Sequence, residues 1–146
     1  MSHRLKVIRR MRGYTQNEVA RVIDVTQRTY SKYETGELSI KISQLDLLSK
    51  FYKVSVDYLL GLNSNSSKKL MGKKYNERTL INNIRMLRYE YNYSQKQLSK
   101  LINCSPSLVS MVERGESNIQ IDMLVALSKL YNISVDCLMY LDNNLL

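Results

Sequence analysis

The chain has 146 residues, 44% hydrophobic and 24% charged, which fits one ordinary globular domain or two very small ones and excludes a chain that is disordered throughout. Twenty-two basic residues against 13 acidic ones give a net charge of +9, a balance that favours a polyanionic partner. No apolar run approaches the roughly 20 residues that cross a bilayer, and the amino-terminal MSHRLKVIRR lacks the apolar core of a secretory signal, so neither a membrane partner nor export is expected.

Shifting the sequence against itself by 79 positions pairs residues 5–62 with 84–141 without a gap, and about a third of the paired positions are identical. The chain is one unit written twice, and each unit reads as five short helices. In the first, Leu5 and Ile8 are three apart, as one face of a helix requires. Thr15 can cap a second helix whose apolar face carries Val19 and Ile23. Asp24 stands in the turn that follows, where its short polar side chain tolerates a left-handed backbone. Thr26 can cap the third helix and Gly36 can end it in a left-handed cap. Leu45 and Leu48 mark a fourth helix, and Ser55 opens a fifth.

Residues 63–78, NSNSSKKLMGKKYNER, are rich in Ser, Asn and Lys and read as a basic polar linker between domains 1–62 and 79–146. Fully extended, such a linker spans at most about 50 Å. The same signals then return. Ile84 and Leu87 repeat the first helical face, and Ser94 caps a helix carrying Leu98 and Ile102. Asn103 occupies the turn, and Ser105 caps a third helix with Pro106 at its favoured first position. Gly115, Leu124 with Leu127, and Ser134 complete the copy.

Two short helices joined by a tight turn and buttressed by others make a helix-turn-helix. Both copies resemble the Cro/C1-type (XRE family) helix-turn-helix domain. The features that match are Gln16, Ala20, Val25, Thr26, Ser31, Tyr33, Glu34 and Gly36, then Leu45, Leu48 and the ending Val54-Ser55-Val56-Asp57-Tyr58-Leu59-Leu60. The second copy follows the same frame with Gln95, Ser99, Cys104, Ser105, Ser110, Val112, Glu113, Arg114 and Gly115. Asp24 and Asn103 stand where the family usually has glycine, and Ile40 and Ile119 where it often has proline.

The resemblance implies an all-α fold of two tandem five-helix, lambda-repressor-like domains and a sequence-specific, double-stranded DNA-binding transcriptional regulator, a cytoplasmic repressor without a cofactor. In such a domain the third helix enters the major groove. By resemblance Gln16 contacts a phosphate, Thr26, Gln27, Arg28, Thr29 and Lys32 face the groove, and Lys41 meets the backbone. Glutamine suits adenine and arginine suits guanine, each pair worth about 1–3 kcal/mol of discrimination. The resemblance also implies partly buried ion pairs, Arg9 with Glu34 and Arg88 with Glu113, that hold each domain together.

The two copies are not equal readers. Residues 1–62 carry 11 basic and 6 acidic residues, 63–78 carry 5 and 1, and 79–146 carry 6 and 6, so the whole excess lies in the first copy and the linker. DNA affinity depends heavily on phosphate neutralisation, which makes the first copy the anchor. Gln95, Lys96, Ser105, Ser107 and Ser110 are the second copy's weaker DNA contacts. That copy is otherwise a surface for a protein partner or a second copy of the chain, and the apolar tail of Cys137, Leu138, Met139, Leu141, Leu145 and Leu146 is either such a docking surface or a cap on the second core. The linker lysines, 68, 69, 73 and 74, track DNA or are simply solvated. Cys104 and Cys137 lack zinc-ligand spacing and align with Val25 and Tyr58, which marks them as small buried fillers. Tyr14 with Tyr93, and Tyr52 with Tyr131, recur as packing residues. With His3 the only histidine, and with no phosphate loop, metal cluster or nucleophile–base pair, the sequence is not that of an enzyme.

Overall fold

The computed structural model describes residues 2–63 and 73–141. Among these, all regular structure is helical, and the chain divides into two compact units, Met1–Met71 and Gly72–Leu146. The first holds α1 (Ser2–Met11), α2 (Gln16–Val22), α3 (Gln27–Thr35), α4 (Ile42–Tyr52) and α5 (Val56–Leu59). The second holds α6 (Glu77–Glu90), α7 (Gln95–Leu101), α8 (Pro106–Glu113), α9 (Ile121–Tyr131) and α10 (Val135–Tyr140). Helix α6 begins two residues inside the stretch read as linker, because Asn76 caps it by accepting the Arg78 amide at 2.8 Å.

Side-chain hydroxyls start most of these helices. Thr15, Thr26 and Ser55 accept amides of α2, α3 and α5, and Ser94, Ser105 and Ser134 do the same for α7, α8 and α10. Each such cap contributes about 1 kcal/mol, a useful sum in units this small. The helices close over a core in which Leu5, Val19, Ala20, Tyr30, Leu45, Leu48 and Leu59 are wholly buried in the first unit. Leu80, Leu98, Val109, Leu124, Leu127 and Leu138 play the same part in the second. Burying one leucine fully is worth about 1.5–3 kcal/mol.

Left-handed residues punctuate both units at equivalent places. Asp24 and Asn103 have φ of 56° and 57°, so the departure from the family's glycine keeps the glycine's conformation. Lys53 and Asn132 end α4 and α9 with φ of 57° and 53°. In both HTH turns a main-chain amide closes back on α2 or α7: Val25 to the Ala20 carbonyl at 3.0 Å, and Cys104 to that of Ser99 at 2.9 Å. Residues 20 and 99 are buried Ala and Ser, small enough for the following helix to approach closely.

The units differ where α1 and α6 meet the last helices. Arg4 lays its guanidinium 4.5 Å from the Tyr58 ring centroid. In the second unit Asn83 and Cys137 occupy those places, and the Asn83 amide instead donates to the carbonyls of Leu138 (2.9 Å) and Leu141 (2.6 Å). Leu138 and Met139 are wholly buried, so this part of the apolar tail closes the second core; Leu145 and Leu146 lie outside the described residues. Lys68 and Lys69 lie outside them too, while Lys73 and Lys74 are exposed. Tyr14 packs against Phe51 and Tyr52, and Tyr93 against Tyr91 and Tyr131. Cys104 and Cys137 are free and half-buried rather than fully buried. Their equivalents Val25 and Tyr58 are half-buried as well, so pairing them with apolar residues overstated their burial. Among the described residues no helix is long and apolar enough to cross a membrane.

Candidate nucleic-acid interface

Helix α3 divides cleanly by period. Tyr30, Tyr33 and Glu34 point into the core, which leaves Gln27, Arg28, Ser31, Lys32 and Thr35 along the opposite stripe. Gln27, Arg28 and Thr35 are exposed, and Ser31 and Lys32 are half-buried. Thr26 caps the helix: its hydroxyl oxygen accepts the Thr29 amide at 3.1 Å and lies 3.0 Å from the Thr29 hydroxyl. Thr26 and Thr29 therefore build the helix end that presents Gln27 and Arg28. Lys41 stands on a separate element, at the start of α4, with its amide donating to Gln44 Oε1 at 3.0 Å and its side chain exposed.

Beneath that stripe, α1 is tied to α3. Arg9 Nε donates to Glu34 Oε1 at 2.5 Å, Nη2 to Oε2 at 3.2 Å, and Nη1 to the Tyr14 carbonyl at 2.9 Å. Both side chains are buried, at 10% and 2% exposure. Burial alone pushes the Glu34 carboxyl up, but hydrogen bonds from Arg9 and Gln16 outweigh it and hold the group below the ordinary carboxylate value of 4.5. Folded Glu34 thus releases its proton more readily than unfolded Glu34. The stability it lends is complete above pH 4.5 and drains away as the pH falls through its folded value. Urea midpoints measured from neutral to acid pH should fall for the native chain, and part of that fall should vanish in Glu34→Gln.

The site contains a link that sequence reading missed. Gln16, assigned only as a phosphate contact, donates its Nε2 to Glu34 Oε2 at 3.0 Å and accepts the Gln27 amide on its Oε1 at 3.2 Å. Arg9, Glu34, Gln16 and Gln27 are therefore one continuous chain of hydrogen bonds that ends on the exposed stripe. The only hint in the sequence was a glutamine at the start of each of two adjacent helices.

The second unit repeats the inner half of this chain. Arg88 Nε donates to both Glu113 oxygens at 2.9 and 3.1 Å, and Nη1 to the Tyr93 carbonyl at 3.0 Å. Gln95 Nε2 donates to Glu113 Oε2 at 2.9 Å. Pro106 stands where Gln27 does, and the outer stripe of α8 carries Ser107, Ser110 and Met111, with Leu108 at its flank. Ser105 is spent on capping Leu108 at 3.1 Å, and Ser110 accepts Arg114 Nη1 at 2.8 Å. Arg114, just beyond α8, also pairs with Glu116 at 2.9 Å. Of the weaker set, Lys96 and Ser107 are left as exposed side chains with no hydrogen bond of this kind.

Comparison with known proteins agrees with this geometry. A family model described as helix-turn-helix matches twice, over residues 5–59 and 84–136. The HTH-type transcriptional regulator ImmR of Bacillus subtilis (strain 168) is 38% identical over 80 residues, covering 53% of this chain and 63% of its own. From the same organism, the uncharacterized HTH-type transcriptional regulator YobD is 31% identical over 74 residues, covering 51% of this chain and 66% of its own. The SPbeta prophage-derived uncharacterized HTH-type transcriptional regulator YonR is 39% identical over 57 residues, 39% of this chain and 53% of its own. The matches thus span between about half and two thirds of each relative's length. No solved structure matches the chain.

Proposed function

Because the chain belongs to the helix-turn-helix family, with two copies of the Cro/C1-type domain, we propose that it is a sequence-specific, double-stranded DNA-binding regulator of transcription that reads the major groove chiefly with α3. The observation that carries this reading is the contrast between equivalent helices. The α3 stripe bears Gln27, Arg28 and Lys32, all able to meet base edges or phosphates, whereas α8 bears Ser107 and Met111 at the places of Arg28 and Lys32. The relatives' names as transcriptional regulators support the regulatory role.

In this reading Thr26 and Thr29 line the groove edge, Gln16 and Lys41 approach phosphates, and binding at an operator in the cytoplasm represses by occupancy. Helix N-termini favour this, since their free amides and dipole attract phosphate oxygens. Lys41→Ala should weaken binding to all duplexes alike and reduce the salt slope by about one unit, as read from titrations across a salt series. Selecting bound fragments from randomised duplexes with the full chain tests the function directly. A shared motif supports it, and a pool without any enriched sequence overturns sequence-specific binding.

The neutral, partly apolar stripe of α8 favours a second role for the second unit: it holds a protein partner or a second copy of the chain, leaving DNA to the first. Inverted repeats in the selected fragments would support pairing of two chains, and a single half-site would argue against it.

A further inference from the structure

The two units carry opposite chemistry where their first helices end. Residues 10–12 read Arg-Met-Arg, and the equivalent residues 89–91 read Tyr-Glu-Tyr. All six are exposed. Met11, the last residue of α1, is 72% exposed, more than any other large apolar side chain among the described residues. The end of α6 offers a counterpart. Leu87, Glu90, Tyr91 and Ile133 line an open recess of about 370 Å³. Leu87 is buried and Ile133 half-buried, whereas Glu90 and Tyr91 are exposed, so apolar surface lies deeper than the carboxylate. The rings beside it are held in place: Tyr91 lies 4.8 Å from Tyr131 and 6.0 Å from Tyr93, and Tyr89 has the Arg88 guanidinium 4.6 Å from its centroid. In the first unit Ile8, Met11, Arg12 and Val54 stand at the four places that line the recess, with a thioether for the acid and a guanidinium for the ring.

We propose that the recess at the end of α6 receives Met11 of a second copy of the chain, with that copy's Arg10 and Arg12 against Glu90 and the rings of Tyr89 and Tyr91. The inference rests on the second role proposed for the second unit and moves its contact from α8 to α6. Size and charge select this occupant. An unbranched thioether adapts to an irregular apolar recess. Cations are favoured around it by Glu90, by the faces of the tyrosine rings and by the negative end of the α6 dipole. A DNA phosphate would be repelled by the same carboxylate, and a second α6 end would set two like carboxylates together. Only the first unit's triplet brings an apolar side chain between two cations.

Sedimentation of the full chain without DNA, from low to high micromolar concentration, tests the contact. The native chain should self-associate as its concentration rises, and less so at high salt. Met11→Glu spoils the inserted side chain and Glu90→Arg spoils the recess, and each should weaken association at least about tenfold. Both positions are exposed, so thermal melts should hardly move. Because the contact joins unlike surfaces, each variant keeps the surface that the other lacks. Mixed in equal amounts, the two should therefore pair, Met11 of the Glu90→Arg chain entering the recess of the Met11→Glu chain. A mixture that does not pair overturns the inference. Association that neither variant alters but Met111→Glu abolishes overturns it too, while sparing the second role on α8. A chain that stays monomeric throughout overturns it together with the pairing of chains. If Arg10→Glu and Arg12→Glu lower affinity for duplexes yet leave self-association unchanged, those arginines are phosphate contacts and the inference falls.

Discussion

Glu34→Ala should destabilise the first unit by about 3–5 kcal/mol, the loss expected when one partner of a buried ion pair is removed. The cost arises from what remains. Arg9 is only 9% exposed, and without the carboxylate its guanidinium keeps a single described acceptor, the Tyr14 carbonyl. At about 4–8 °C per kcal/mol for a domain this small, the shift in a thermal melt would be large. Arg9→Met added to Glu34→Ala should recover much of the loss, because a buried pair is often replaceable by apolar side chains where a stranded charge is not. An unchanged melt for Glu34→Ala would show that the pair contributes nothing to holding α1 to α3.

Arg28→Ala should weaken binding to the preferred duplex by about 1–3 kcal/mol and relax the choice of base at one position. Arg28 is exposed on the α3 stripe, so the variant removes no core contact and the melt should hardly move. Affinity for random duplexes should fall much less. Ser107→Ala, at the equivalent place in the second unit, removes one hydroxyl and no charge and should change affinity only slightly. Equal losses on preferred and random DNA for Arg28→Ala would reduce that side chain to a phosphate contact.

Most of the fold was legible because its signals are local and appear twice. Hydroxyl caps, helical spacing of leucines and the short polar residues at 24 and 103 each act within a few positions, and each agrees with its partner 79 residues away. Lys53 was not legible as a left-handed residue, since lysine has no preference for that conformation; only Asn132 at the equivalent position hinted at it. The Asn83 bonds to Leu138 and Leu141 span 55 and 58 residues, and nothing local announces them. The burial of Cys104 and Cys137 was not legible from their alignment, because their apolar equivalents Val25 and Tyr58 are themselves only half-buried.

The candidate site was half legible. Residue types suited to base edges stood out on α3, and the ion pairs came from family resemblance. The bond between Gln16 and Gln27 joins the first residues of two helices, so it depends on how closely α2 and α3 approach. That approach is set by Ala20 and by the left-handed Asp24, and only coordinates bring the two amides together.

Whether the α3 stripe meets DNA can be measured by titrating the isotopically labelled full chain with a duplex recovered from the randomised pool and following amide chemical shifts at moderate salt. Shifts concentrated at the start of α2 and along α3, strongest around Gln16 and from Gln27 to Lys32 and weakening as salt rises, are the predicted result. Shifts confined to the second unit, or none at all, would contradict it.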